Sequence, residues 1–270
     1  MTRDEKINER LDYMCKTANA LKAEGWDRYT AAKDDQYIRI NGSSMQAVSL
    51  ADEKALNGHG SKTASTKTII KKFETLAGDI STKKIKGDKS AFDMKKERRL
   101  QAYIIKESLM NNGSLLGNSL LSCLSDYFEK LLFVTDEISF GDKNNPSIVR
   151  CDLFAVGVKN GKTQPVLIEL KSTRSLSRLY DQIDNATSDL TGENSNDSKN
   201  RQKLICDFVK EITGESISIF DIKKILVWPE GKSSEATLTK MKDRNDVLYI
   251  EYSHPDFSSP TEVVFSLKTP

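Results

Sequence analysis

The stretch "PVLIELKSTRS", Pro165 to Ser175, closes an apolar run with an acid and a base two residues apart. Val166, Leu167 and Ile168 read as a buried strand. Successive side chains on a strand point to opposite faces, so Glu169 and Lys171 share a face while Leu170 points away. Ionised side chains are costly to bury unless paired, hydrated or bound to a metal. Either this strand end reaches the surface, or the two charges are aimed at a partner. With His59 and His254 as the only histidines, and Cys15, Cys123, Cys151 and Cys206 scattered without a C-x-x-C pair, neither a histidine-rich site nor a zinc cage is expected. A metal here would be a hard cation on carboxylates, magnesium being the natural candidate.

Acid–any–lysine triplets recur in this lysine-rich chain, Asp4–Lys6, Asp221–Lys223 and Glu230–Lys232 among them, so context must separate them. Asp4 lies at a terminal helix start, Asp221 opens a strand with no acidic strand before it, and "PEGK" reads as a turn. Glu169–Lys171 closes an apolar strand that follows a turn and another strand carrying an acid, Asp152 in "VRCDLFAVG".

The elements that must position these residues begin near Ser90. "KSAFDMKKERRLQAYIIKESLMNNG" has an N-cap at Ser90, a stop at Gly113, and Leu100, Ile104 and Ile105 on one side. A second helix is expected over "SLLGNSLLSCLSDYFEKL". Three strands follow, over 131–140, 149–158 and 164–172, joined by the turn-rich linkers "GDKNNPSI" and "KNGKT" as in an antiparallel meander. Next come the helix "SLSRLYDQIDNATSDL", the helix "RQKLICDFVKEITG", the buried strand "IKKILVW", the helix "SEATLTKMKDR", the strand "VLYIEYS" and an edge strand in "TEVVFSLK". This order predicts an α/β fold: a mixed central sheet, meander plus further strands, flanked by helices. Two regions are expected, an N-terminal helical and basic extension over 1–89 and a main domain over 90–270. In the first, residues 3–24 read as an amphipathic helix, "DQYIRING" as a strand ending in an Asn-Gly turn, and 65–77 as a helix.

The chain of 270 residues is 37% hydrophobic and 30% charged, and its net charge of +2 conceals a gradient. Residues 61–110 hold 13 Lys/Arg against 6 Asp/Glu, a net of +7, whereas residues 111–270 hold 19 against 23, a net of −4. Such a belt is either a solvated lysine-rich face or an electrostatic footprint for nucleic acid. No apolar run approaches the ~18 residues that span a bilayer, so no membrane association is expected. "MTRDEKINERLDYM" lacks the apolar core of a signal peptide, so a cytoplasmic location is expected.

The order of elements and the placement of the acids resemble the PD-(D/E)XK nuclease superfamily, whose fold is restriction-endonuclease-like. Asp152 matches the acid of the family's second strand, and Glu169 and Lys171 match the acid–any–lysine of its third. Over residues 90–252 the resemblance implies a helix before the meander that often carries another acid. Glu97 is the best match, with Gln101 one turn later on the same face and Glu107 and Glu129 as rivals. Arg174 and Gln182 match the basic residue and helical glutamine that many members carry after the lysine. The family's proline before the first acid is replaced by Cys151.

The resemblance implies a divalent-metal-dependent hydrolase of phosphodiester bonds, most naturally a DNA endonuclease of restriction, defence or repair type. Asp152, Glu169 and the Leu170 carbonyl would hold Mg²⁺, with Mn²⁺ as the alternative, and the cation would polarise the phosphate and acidify a bound water. Lys171 would orient that water or stabilise developing negative charge. Glu97 would tune metal occupancy, and Gln182 would belong to the same catalytic set. The alternative is a nuclease-like fold that binds nucleic acid or protein without cutting. A homodimer would allow cuts on both strands, with the 3–24 helix as candidate interface.

Overall fold

In the computed structural model, residues 5, 8 and 12, the backbone of three strands between 31 and 49, and the chain from 100 to 268 are described, except 102–103, 106–107, 109–110, 118–119, 140–149, 172–176, 194–197, 232–238, 240 and 254–262. Glu97, Glu107, Arg174 and the helix expected over 65–77 therefore lie outside the described residues. Residues 5, 8 and 12 are helical, within the segment expected at 3–24. The following strands, β1 (Ala31–Lys33), β2 (Gln36–Ile40) and β3 (Ala47–Ser49), form an antiparallel three-stranded sheet where a single strand was expected.

The main sheet has six strands in sequential order: β4 (Lys130–Ser139), β5 (Arg150–Lys159), β6 (Lys162–Leu170), β7 (Lys223–Pro229), β8 (Val247–Ser253) and β9 (Val264–Lys268). β4, β5 and β6 pair antiparallel, β6, β7 and β8 parallel, and β9 antiparallel to β8. The β5–β6 link is a two-residue turn, Asn160-Gly161, with φ of 52° and 70°. Positive φ at both central positions gives the backbone twist that two hairpin strands require, and Asn-Gly accepts it at little steric cost. Parallel pairing cannot be closed by so short a link. The connection from β6 to β7 accordingly passes through two helices, α1 (Ser177–Thr191) and α2 (Ser198–Thr213).

Strand alternation splits the core between the two faces of the sheet. Leu153, Ala155, Val166, Ile168, Leu170, Val227 and Ile250 face one cluster, which also holds Leu100, Ile104 and Ile105 from the leading helix. Phe154, Leu167, Leu226 and Tyr249 alternate with these and point the other way, to the face on which α1 packs against β5 and β6 and α2 against β4. The leading helix stops as expected: Asn112 takes a left-handed conformation (φ 52°) and the Gly113 N–H reaches back to the Ser108 carbonyl at 2.7 Å.

The helix expected over "SLLGNSLLSCLSDYFEKL" is not formed; Ser122–Leu124 makes only a short 3₁₀ turn. The chain instead lies along β4, with the Leu115 N–H on the Leu131 carbonyl at 2.7 Å and the Phe133 N–H on the Gly113 carbonyl at 2.8 Å. Ser, Gly and Asn are poor helix formers, and the Ser114 hydroxyl accepts the Leu116 N–H locally. Pairing with the sheet therefore satisfies the backbone while Leu115, Leu120, Leu121, Leu124 and Phe128 still enter the core. Strand bounds elsewhere follow the sequence reading closely, and residues 239, 241 and 242 fall in the helix expected before β8.

An ion network ties that crossover to α1. Arg244 and Lys224 both bridge Asp184, on α1, and Asp246, beside β8, at 2.8 Å. Burial pushes the Asp184 carboxyl up, but hydrogen bonds and charges from Arg244 and Lys224 reverse this and hold it below its usual value of 3.8. The Arg244 hydrogen bond, joined by Lys224, holds Asp246 further below it.

Two outcomes follow from this packing. A Cβ at Gly157 would stand 2.5 Å from the Phe128 ring and 3.2 Å from Val166 Cγ2. Gly157→Ala should therefore destabilise by about 1–3 kcal/mol in urea unfolding, and Phe128→Leu in the same chain should restore part of the loss. Because the native values of Asp184 and Asp246 are depressed, the stability they contribute is complete above the unfolded value of 3.8 and lost as pH falls below it. Asp246→Asn should thus be less stable than the parent at about pH 6, with the difference shrinking between about pH 4 and about pH 2 in urea titrations.

Candidate metal and phosphate site

The site stands where two strands part. β5 stays paired with β4 as far as Arg150, and β6 with β7 as far as Leu170, but the β5–β6 ladder ends at Leu153 opposite Ile168. Asp152 and Glu169 are the next residues in that register, on the face away from Leu153 and Ile168. Across the opening, Asp152 Oδ2 accepts the Leu170 N–H at 2.7 Å. A carboxylate thus replaces the backbone acceptor that a continued ladder would have supplied, and satisfies a donor that would otherwise be orphaned.

Lys171 Nζ donates to Glu169 Oε1 at 2.7 Å, and both side chains are buried, 7% and 4% exposed. The i, i+2 spacing on one face makes this contact, an enclosed salt bridge within one strand end. Three further bonds hold the site's backbone. The Lys171 N–H donates to the Val227 carbonyl at 2.8 Å, extending the β6–β7 ladder by one residue. The Tyr252 hydroxyl donates to the Lys171 carbonyl at 3.3 Å. From the leading helix, Gln101 Nε2 donates to the Asp152 carbonyl at 2.8 Å. The Cys151 thiol, directed at the Leu153 and Ile168 carbonyls, is pushed well up by burial and then by the charges of Glu169 and Asp152. It is a packing residue beside the acids rather than a nucleophile.

Three of the residues singled out from sequence, Asp152, Glu169 and Lys171, come together at the fork. Gln182 rides half-buried on α1 and makes no hydrogen bond to any of the three. Glu129 is not a helix acid near the site: it is exposed at the start of β4, accepting the Asn160 N–H at 3.1 Å at the far end of the meander. Trp228 and Tyr249 are core aromatics, packed edge to face at 5.6 Å. Asp136 was not anticipated. A bulge between Phe133 and Thr135 sets it opposite Leu153, and so on the face of the sheet away from Asp152 and Glu169, where it is 1% exposed. Strand alternation in "LLFVTDEISF" gave no sign of it, because the bulge reverses the alternation at that point.

Two carboxylates and a strand-end carbonyl are all hard oxygens, the donor type that magnesium or manganese takes. Among the described residues no group of three His, Cys, Asp or Glu forms a ready cage. No protein-family model, curated protein or solved structure matches the chain. Among the described residues no helix is long and apolar enough to cross a membrane.

Removing one member of a buried pair leaves the other charge uncompensated. Lys171→Met should therefore cost about 3–5 kcal/mol in urea unfolding, while Glu169→Gln combined with Lys171→Met should recover most of that loss. Equal losses in the single and double variants would show that the pair is not the main determinant.

Proposed function

We propose that the chain is a divalent-metal-dependent nuclease of the PD-(D/E)XK type, hydrolysing phosphodiester bonds of DNA. The observation that carries this reading is the fork at the ends of β5 and β6, where Asp152, Glu169 and Lys171 converge on one face. A strand fork of this kind frees the two facing strand ends without removing either strand from its outer neighbour, so charged groups are held on a rigid base. Support also comes from the order of elements, a helix, an antiparallel meander, helices and then parallel strands, which is the order expected of a restriction-endonuclease-like core.

In this reading Asp152, Glu169 and the Leu170 carbonyl hold the cation, which supplies Lewis acidity and a more acidic water. The chain's own groups do the rest. Lys171, paired with Glu169, offers its donors to negative charge building on the phosphate. The bond from Asp152 to Leu170 N–H fixes the first carboxylate relative to the second strand, so both acids keep one separation. Glu97 and Gln182 extend the catalytic set, Glu97 as the outer acid that tunes metal occupancy. The basic belt over 61–110 contributes nucleic-acid contacts, and 3–24 a homodimer interface.

The enclosed Lys171–Glu169 pair favours a second reading, in which a nuclease-like fold binds nucleic acid or protein and the pair is structural. Incubation of the purified chain with plasmid DNA and magnesium separates the two. The nuclease reading requires nicking or linearisation that fails in EDTA and falls by about 10²–10³-fold in Asp152→Asn, and equally in the folded Glu169→Gln/Lys171→Met variant. Binding of DNA without cleavage over a broad set of substrates, and without calorimetric uptake of Mg²⁺ or Mn²⁺ that depends on Asp152, would establish the second.

A further inference from the structure

The two residues at the fork are each fixed by a side chain from a distant part of the chain. Gln101, from the leading helix and 5% exposed, donates to the Asp152 carbonyl at 2.8 Å. Tyr252, from β8 and 2% exposed, donates to the Lys171 carbonyl at 3.3 Å. Both bonds fall just beyond the last β5–β6 pair, Leu153 with Ile168, where the two strands no longer brace each other. Neither donor is on the sheet segment it holds: they are 51 and 81 residues away along the chain. The ring of Tyr252 and the neighbouring Leu100 sit in one apolar cluster, so each hydroxyl or amide is presented by a side chain already anchored in the core.

We infer that Gln101 and Tyr252 are positioning residues that set the fork: Gln101 holds the Asp152 arm and Tyr252 holds the Lys171 arm. This deepens the nuclease reading and rests on it for its catalytic consequence. A backbone carbonyl released beyond the end of a ladder lets its residue swing, and a displacement of about 1 Å at a reacting group can lower rate by about 10²-fold. The two arms carry different chemistry, so their losses have different signatures. Loosening Asp152 impairs a cation ligand, whereas loosening Lys171 impairs a charge donor that does not ligate.

The test uses Gln101→Met and Tyr252→Phe in the full chain, each of which removes a donor while preserving bulk. Ser218→Ala serves as control, because it removes the hydroxyl that accepts the Thr163 N–H at 2.8 Å, a partly buried bond near the hairpin end of β6, away from the fork. Both fork variants should lower kcat by about tenfold or more with KM for DNA little changed, while the control keeps its activity. Raising magnesium should restore much of the Gln101→Met loss and little of the Tyr252→Phe loss. Amide hydrogen exchange reads the same claim without activity: the Leu170 amide, bonded to Asp152, should exchange faster in Gln101→Met, and the Lys171 amide faster in Tyr252→Phe. Unchanged exchange at both amides, or activity losses in the control equal to those of the fork variants, would overturn the inference. If the parent cleaves no DNA while the amides respond as stated, the nuclease reading fails and the clamp stands.

Discussion

The hydrogen bond from the Leu170 N–H to the Asp152 carboxylate is the constraint on which the rest of the site depends. It spans the point where β5 and β6 stop pairing, 2.7 Å long, between a side chain and a backbone on separate strands. Without it the two strand ends would diverge with an unsatisfied amide between them, and the separation of Asp152 from Glu169 would not be fixed. Each strand keeps its outer neighbour, β4 or β7, so the opening is local and the sheet continues on both sides. A fork made in this way needs no cavity in the core: Leu153, Ile168 and Leu170 stay fully buried on the opposite face. The apolar layer therefore supplies rigidity, and the polar ends carry the charged side chains.

The charged groups at this fork each meet a partner within a few residues or across the opening. Glu169 is paired with Lys171, and Asp152 accepts a backbone donor. Burying these groups is tolerable only because each is met by a partner at short range. The same principle operates at the other end of the parallel strands, where Lys224 and Arg244 share Asp184 and Asp246. There the network is partly exposed and joins three segments. Similar charged residues thus serve packing at one end of the sheet and form a candidate site at the other, and the difference lies in whether the strands remain paired.

The sequence made much of this legible, for identifiable reasons. Period-two runs bounded by turn residues located β4 to β8, and Asn160-Gly161 located the hairpin, because these signals are local. Glu169 and Lys171 were placed on one face by spacing alone, and their contact follows from it. The segment after Gly113 has leucines spaced to suit either a helix or a strand-following loop. What decided it was the chance to bond along β4, a long-range property. Asp136 was hidden for a related reason: a one-residue bulge changed which side chains face the core.

By itself the sequence determined the α/β character, the order of the strands along the chain, and the pairing of an acid and a lysine at one strand end. Such features depend on hydrophobic period, turn chemistry and residue spacing, all of which act over a few residues. Only the tertiary structure decided that β5 and β6 part after Leu153 and Ile168, that Asp152 bridges the gap, and that Gln101 and Tyr252 reach the two arms from 51 and 81 residues away. Those contacts join groups far apart in the chain, and they arise because the helix and β8 are packed into one apolar cluster that leaves their polar ends at the fork. Local spacing chose the groups; packing chose which of them meet.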